Sequence, residues 1–344
     1  MQEMTERIGD AASELDTFLD EEVVEWLRND SLNLILLPVE QCNFRCTYCY
    51  EAFTFGCMSP ATIQGVKRLI DLRLDDLASL SVAWFGGEPL LARAIVEDIS
   101  EHIIRVSGDR RPDLRYSADM TTNGYLLDIS AVERLAGLGI RLFQVSLDGP
   151  EPLHDRTRIR ADGKGSFRQI WRNLVAIRDG NVAVNVLLRV HLTPDNLPVL
   201  SEFLGEIRDT FLQDKRFQVL LKPVERLGGP NDNKIEVLPR ETRSQILCEL
   251  ERVVLNRAID EHRLYPAQQI CYAARPNSLI IRANGDIGKC TVALTNPVNN
   301  VGRLLPDGSL EIDNARLRAW LQGWASRDLA TLECPLRQAS TQLV

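Results

Sequence analysis

Residues 33–49 read NLILLPVEQCNFRCTYC. The first part, Asn33 to Val39, is a short apolar run of the length and composition of a buried strand. Three cysteines follow at once: Cys42, Cys46 and Cys49. Working outward, the same texture recurs. Ser59-Pro60 opens a helix to about residue 75, with Ser59 as cap and Pro60 in the first turn. Strand-like Ser81–Phe85 precedes helical Leu90–Val106; Leu114–Thr121 precedes Ile129–Leu138. Arg141–Leu147 reads as a strand, followed by a long loop and a helix from Phe167 to about Arg178. Val182–Val190, the helix Leu197–Leu212 and the strand Phe217–Lys222 complete the series. Strands alternating with helices predict an α/β fold with a parallel sheet. The polar or Gly-rich stretches CNFRCTYCYE, GGEP, TNG and SLDG fall at carboxyl ends of strands, where barrel-like α/β folds keep their active sites.

Around this core the sequence predicts two flanking regions. Residues 1–30 form an amphipathic extension, with Leu15, Phe18, Leu19, Val23, Val24 and Leu27 at helical spacing. After residue 235 the texture changes. A helix from Glu241 to about His262 precedes a β-hairpin, Ser278–Arg282 and Asp286–Cys290, and a short helix over 313–325. The expected domains are 1–30, 31–235 and 236–344, the last a smaller α+β unit. With 344 residues the chain has enough length for such a division. Its 40 basic and 48 acidic residues give a net charge of -8, which argues against bulk electrostatic binding of nucleic acid. No run of 18 apolar residues is present, so no membrane span is expected, and the first residues lack a signal-peptide pattern. A cytoplasmic, reducing location follows as an expectation. There eight cysteines point to metal or iron–sulfur binding rather than disulfides.

Three thiolates on one short loop can hold three irons of a 4Fe–4S cubane and leave the fourth open to a chelating small molecule; a three-ligand zinc site is the alternative. Cys271, Cys290 and Cys334 are separated by 18 and 43 intervening residues. That fits a hairpin and a returning segment closing on one metal centre, or three core cysteines. Cys248, inside a helical pattern, reads as core, and Cys57 as inert.

CNFRCTYCYE carries the CxxxCxxC motif of the radical S-adenosylmethionine (SAM) enzymes, which the chain resembles over roughly residues 32–336. Gly86-Gly87-Glu88-Pro89 matches that family's GGEP. Ser146-Leu147-Asp148-Gly149, His154-Asp155, Arg158 and Gly163–Phe167 are similar to the SLDG…HDxxR…GKGSF run of the subgroup with carboxyl-terminal SPASM or twitch domains. The resemblance implies a partial (β/α)6 TIM barrel with a smaller, twitch-like α+β domain. It implies SAM on the open iron of a cluster held by Cys42, Cys46 and Cys49. One-electron cleavage then gives a 5′-deoxyadenosyl radical that abstracts hydrogen from substrate. Gly86 and Gly87 would offer backbone to the SAM ammonium, and Glu88 would bond that ammonium or fix its loop. Arg158 would pair with the SAM carboxylate, and Ser146 with the carboxylate or ribose. Tyr48 would pack near adenine or fill the loop, Asn123 would reach ribose, and Leu192 would contact adenosine through its backbone. Cys271, Cys290 and Cys334 would hold one auxiliary 4Fe–4S cluster. The fourth cysteine that relatives usually carry falls at Arg337.

The resemblance also implies an oxidoreductase that matures a ribosomally made (RiPP) precursor peptide by side-chain cross-linking or oxidation. A dehydrogenase or cyclase acting on a small metabolite and a non-catalytic iron–sulfur scaffold are the alternatives. Lys222 and Glu225, at the end of the last barrel strand, are the candidate catalytic residues. A flavodoxin- or ferredoxin-type electron donor is implied as partner. About 30 residues before the first strand are too few for a leader-binding domain, so a separate recognition protein is a further expected partner. Neither nucleic acid nor a membrane is expected as a partner.

Overall fold

The computed structural model describes residues 27–255, 270–337 and 339. Six parallel strands follow one another in chain and in space: β1 (Ser31–Leu36), β2 (Ser79–Trp84), β3 (Arg115–Thr122), β4 (Ile140–Leu147), β5 (Asn185–Leu192) and β6 (Phe217–Pro223). Alternate residues of each strand face the surrounding helices. Leu80, Val82 and Trp84 of β2 and Phe143, Val145 and Leu147 of β4 are all fully buried in the main core. Ser79, Ser81, Ala83, Gln144 and Ser146 alternate with them and face the other side, so the barrel interior is comparatively polar.

The carboxyl-terminal segment does not fold apart from this sheet. The strands β7 (Ser278–Ile281), β8 (Asp286–Gly288), β9 (Gly302–Leu304) and β10 (Leu310–Ile312) extend it beyond β1, in the order β10-β9-β8-β7-β1. β7 runs parallel to β1, and β7 with β8 is the expected antiparallel hairpin. Ile281, Ile287 and Trp320 share one hydrophobic cluster with the barrel strands. The change of texture near residue 236 is thus a boundary in the chain and not in the sheet. The architecture is a partial, barrel-like α/β sheet with an α+β carboxyl-terminal region.

Helix ends follow their chemistry. The Ser59 hydroxyl accepts the Thr62 N–H at 3.1 Å at the start of Pro60–Arg73. The helix expected from Leu90 begins instead as a 3₁₀ turn, Pro89–Ala92, before Arg93–Arg110. The expected loop after β4 contains a helix of seven residues, Glu151–Thr157, too short to show a period in sequence. The helix Phe167–Asp179 is capped from a distance: Asp155 Oδ1 accepts the N–H groups of Ser166 (2.7 Å) and Phe167 (2.9 Å). The helix expected to reach His262 is described as Arg240–Leu255. The expected amphipathic helix before residue 27 lies outside the described residues. Among the described residues no helix is long and apolar enough to cross a membrane.

Candidate active site

The carboxyl ends of the barrel strands open into a cleft of about 990 Å³, counting the space open to solvent at its mouth. Cys42, Cys46 and Cys49 line it. Their loop is tied on one side to the segment after β4: Arg45 N–H reaches Ile159 O (2.7 Å), Thr47 N–H reaches Thr157 O (2.9 Å), and Ala161 N–H reaches Asn43 O (2.7 Å). On the other side it lies against Gly86-Gly87. A Cβ at Gly86 would stand 2.4 Å from Val39 O, and one at Gly87 would stand 2.3 Å from Gln41 O. Gly86 also holds a φ of +118°. Only glycine lets the two backbones approach this closely. Both glycines line the cleft.

Glu88 is fully buried and lies beneath the cleft wall, not in it. Its Oε1 accepts Leu90 N–H (3.0 Å) and Thr122 Oγ1–H (2.8 Å), and its Oε2 accepts Asn123 N–H (2.7 Å). Burial pushes its carboxyl upward, against the pull of these three donors. Of the two roles open to Glu88, fixing the loop is the one its contacts serve. Asn123 does line the cleft, but its amide is engaged: Nδ2 donates to Asn43 Oδ1 at 2.8 Å and braces the cysteine loop. Leu192 lies away from the cleft lining. Its side chain is in the core, and its carbonyl accepts Val224 N–H (2.9 Å). Strand alternation puts its neighbour His191 in the cleft instead.

Tyr48, Ser146 and Arg158 line the cleft as well, and a hydrogen-bonded network joins two of them. Arg158 Nη1 donates to the Tyr48 hydroxyl (2.9 Å), which donates to Asp148 Oδ1 (3.0 Å). Asp148 Oδ1 also meets His191 Nδ1 at 3.0 Å, and its Oδ2 accepts Thr157 Oγ1–H at 2.6 Å. Burial alone would push Asp148 up; His191 and Arg158 outweigh it and hold the carboxyl well below the usual carboxylate range. Burial pushes His191 down, so the pair is a carboxylate with a neutral imidazole. His154 is an organiser of this floor. Its Nδ1 accepts Asp148 N–H (3.4 Å), its Nε2 meets Ser166 Oγ (3.1 Å), and Ser166 Oγ–H reaches Arg158 O (2.9 Å). Glycine is required at 165, where a Cβ would meet Asp155 Oδ2 at 2.0 Å.

Lys222 and Glu225 line the rim. Lys222 Nζ is 3.1 Å from Glu225 Oε2, and Arg243 Nη1 is 3.1 Å from Oε1. Burial opposes, but these two cations lower the Glu225 pKa, which makes it a poor base. Sequence reasoning passed over Tyr50, Glu51 and Arg189, which also line the cleft. Glu51 follows the last loop cysteine, and burial with Glu40 nearby pushes its carboxyl up to about 8. An ionisable residue just after the cysteine motif, or at alternate positions near the end of β5, was the signal available.

All eight cysteines are free, Cys248 is buried as expected, and Cys57 is exposed. The two cysteine sets each come together. Burial pushes Cys42 and Cys49 up to about 12, and each of them also senses Cys46. Burial raises Cys271, which senses Cys334, and Cys290, which senses both. Cys290 is held by Asn299, whose Oδ1 accepts the N–H groups of Lys289 and Cys290 at 2.8 Å each. Among the described residues no three His, Cys, Asp or Glu side chains gather closely enough to hold a single ion. Thiols raised by burial need positive charge close by to ionise, which a bound metal or iron–sulfur body would supply.

A family model described as the radical SAM superfamily matches residues 36–203, the span that supplies most of this cleft's lining; Lys222, Glu225 and their neighbours lie beyond it. That match places residues 36–203 in the radical SAM superfamily. This radical SAM chain is 25% identical over 259 residues to an uncharacterized protein of Methanocaldococcus jannaschii, covering 75% of this chain and 84% of that protein. It is 26% identical over 214 residues to the cysteine-type anaerobic sulfatase-maturating enzyme of Clostridium novyi, covering 59% of this chain. There it spans only 54% of the relative's length. The solved structure of native anSMEcpe with bound AdoMet and Cp18Cys peptide shares the fold, with a TM-score of 0.62 at 19% identity, over 84% of this chain and 80% of that one.

Proposed function

We propose that this radical SAM enzyme modifies side chains of a ribosomally made precursor peptide by oxidation or cross-linking, in the cytoplasm. The observation that carries the reading is one cleft lined by three cysteines, the Gly86-Gly87 backbone, Ser146 and Arg158. Cys42, Cys46 and Cys49 would hold a 4Fe–4S cluster with one open iron. The chemistry such a group supplies when bound is one-electron cleavage of SAM, which releases a hydrogen-abstracting 5′-deoxyadenosyl radical. The chain's own residues position the reactants. Arg158 is fixed by Tyr48 through one Nη1 bond, and its Nε is buried without a partner, so it has donors left for the SAM carboxylate. The Gly86-Gly87 carbonyls would face the SAM ammonium, and Ser146 would face its carboxylate or ribose. Asp148 and Thr157 hold the floor on which Tyr48 rests.

Cys271, Cys290 and Cys334 would hold an auxiliary cluster beside the sheet, suited to accept an electron from substrate in an oxidation. Tyr272 packs against Ile35, Leu37 and Ile280 on the barrel interior, with Phe85 of the cleft in the same cluster. It lies on the way from that triad to the cleft. A flavodoxin or ferredoxin would supply the priming electron. A peptide substrate is supported by the peptide bound in the anSMEcpe structure.

The test is anaerobic reconstitution of the full chain. Two loaded sites contain about eight irons per chain. With SAM and a low-potential reductant the protein forms 5′-deoxyadenosine, and Cys46→Ala abolishes that product. Retained 5′-deoxyadenosine formation in the variant refutes the assignment. So does an early cysteine loop that takes up zinc and no iron.

A further inference from the structure

Once the network around Arg158 is accounted for, one cation in the cleft is left over. Arg189 lies on β5, in register with Ser146 of β4 and Leu220 of β6, and its side chain lines the cleft. Its Nε is buried and unbonded, and among the described residues the guanidinium has neither a hydrogen-bond nor an ion-pair partner. A permanently charged fork with no acceptor in a partly closed site is costly. Among the described residues none of the carboxylates nearby bonds to Arg189. Asp148 is taken by Tyr48, His191 and Thr157. Glu225 lies between Lys222 and Arg243. Glu51 has a buried Oε2 with no hydrogen-bond partner of its own, and burial with Glu40 nearby favours its neutral form, so it supplies no counter-charge to Arg189.

Two arginines therefore present donors to one cleft. Arg158 is bound to Tyr48 and senses Cys46, so it belongs to the cysteine loop. Arg189 acts on Tyr50, and both arginines act on His191. SAM has a single carboxylate, which leaves the second guanidinium without an anionic partner from the cofactor.

We propose that Arg189 anchors a carboxylate of the substrate, so that the preferred substrate carries an acidic group close to the reacting C–H. The inference rests on the reaction proposed above and names its substrate class. The fork of a guanidinium meets a carboxylate through two parallel bonds. Such an anchor would fix the substrate's distance from the reacting centre as well as its identity. The carboxylate could be an Asp or Glu side chain, or the carboxyl end of a peptide.

Three short probes separate these sources: acetyl-Gly-Glu-Gly-amide, acetyl-Gly-Gln-Gly-amide, and acetyl-Gly-Gly-Gly with a free carboxyl end. Their binding to the anaerobically reconstituted, SAM-loaded full chain is measured without reductant by saturation-transfer NMR. In parallel, phenylglyoxal labelling of Arg189 is read by mass spectrometry. A charged bidentate contact predicts that the Glu probe, the free-carboxyl probe, or both bind at least about tenfold more tightly than the Gln probe. The tighter binders should also protect Arg189 from labelling. In Arg189→Gln the preference for charge disappears, and in Arg189→Lys part of it returns. Equal binding of the charged and neutral probes to the wild-type chain overturns the proposal, and so does an undiminished preference in a folded Arg189→Gln variant. The wild-type comparison and the labelling do not depend on how the variants fold. No turnover is involved, so a chain that fails to cleave SAM refutes the reaction and leaves this measurement standing.

Discussion

Replacing Glu88 separates a residue that builds the site from one that binds in it. Glu88 is 0% exposed and accepts three hydrogen bonds, from Leu90 N–H, Thr122 Oγ1–H and Asn123 N–H. Glu88→Gln keeps the shape and keeps one oxygen for Leu90 and Thr122. It places an amide NH₂ opposite Asn123 N–H, so one buried donor meets another, at a cost of about 1–3 kcal/mol. Glu88→Ala deprives all three donors. The Thr122 hydroxyl still accepts Gly124 N–H and so keeps one of its two bonds. The sum is therefore nearer about 3–5 kcal/mol than three full penalties. Urea unfolding of the apo chain at pH 7, followed by tryptophan fluorescence, should rank wild type above Gln and Gln above Ala. SAM affinity should fall only as far as the loop loosens. Gln and Ala variants with wild-type midpoints and a large loss of SAM affinity would refute this reasoning and make Glu88 a direct ligand.

His154 should give a pH signature: burial drives its imidazole down to about 4, against the opposing charge of Asp148. The unfolded chain, with an ordinary value near 6.5, binds that proton first. The stabilisation is therefore complete above about pH 6.5 and is lost as pH falls toward about 4, at a cost of about 3 kcal/mol. Urea midpoints from pH 7 to 4.5 should show the fall in wild type and a shallower one in His154→Gln; parallel curves would count against it. Cys290→Ala should halve the iron content and keep 5′-deoxyadenosine formation while losing modified peptide. An unchanged product yield would show the second thiol set to be dispensable.

Much of this protein is legible along the chain because its barrel is built from local units. Each strand–helix pair buries its own apolar face, so Leu80, Val82 and Trp84, or Phe143, Val145 and Leu147, reveal their strands by simple alternation. Three cysteines within eight positions and two adjacent glycines are equally local. Glu151–Thr157 was hidden because seven residues are too few for a helical period to stand out.

What the sequence determined by itself, then, was the repeating α/β unit, the cysteine loop and the glycines that must lie close to it. Those properties depend on spacing and on the absence of a side chain. Tertiary structure alone decided that β7 pairs with β1 and makes the carboxyl-terminal segment part of one sheet. It also decided that Glu88 lies under the cleft wall, that His191 rather than Leu192 reaches the cleft, and that Arg189 has no hydrogen-bond or ion-pair partner among the described residues. Those outcomes depend on which faces and charges meet across distant parts of the chain, and strand register and burial set them only once the sheet has closed.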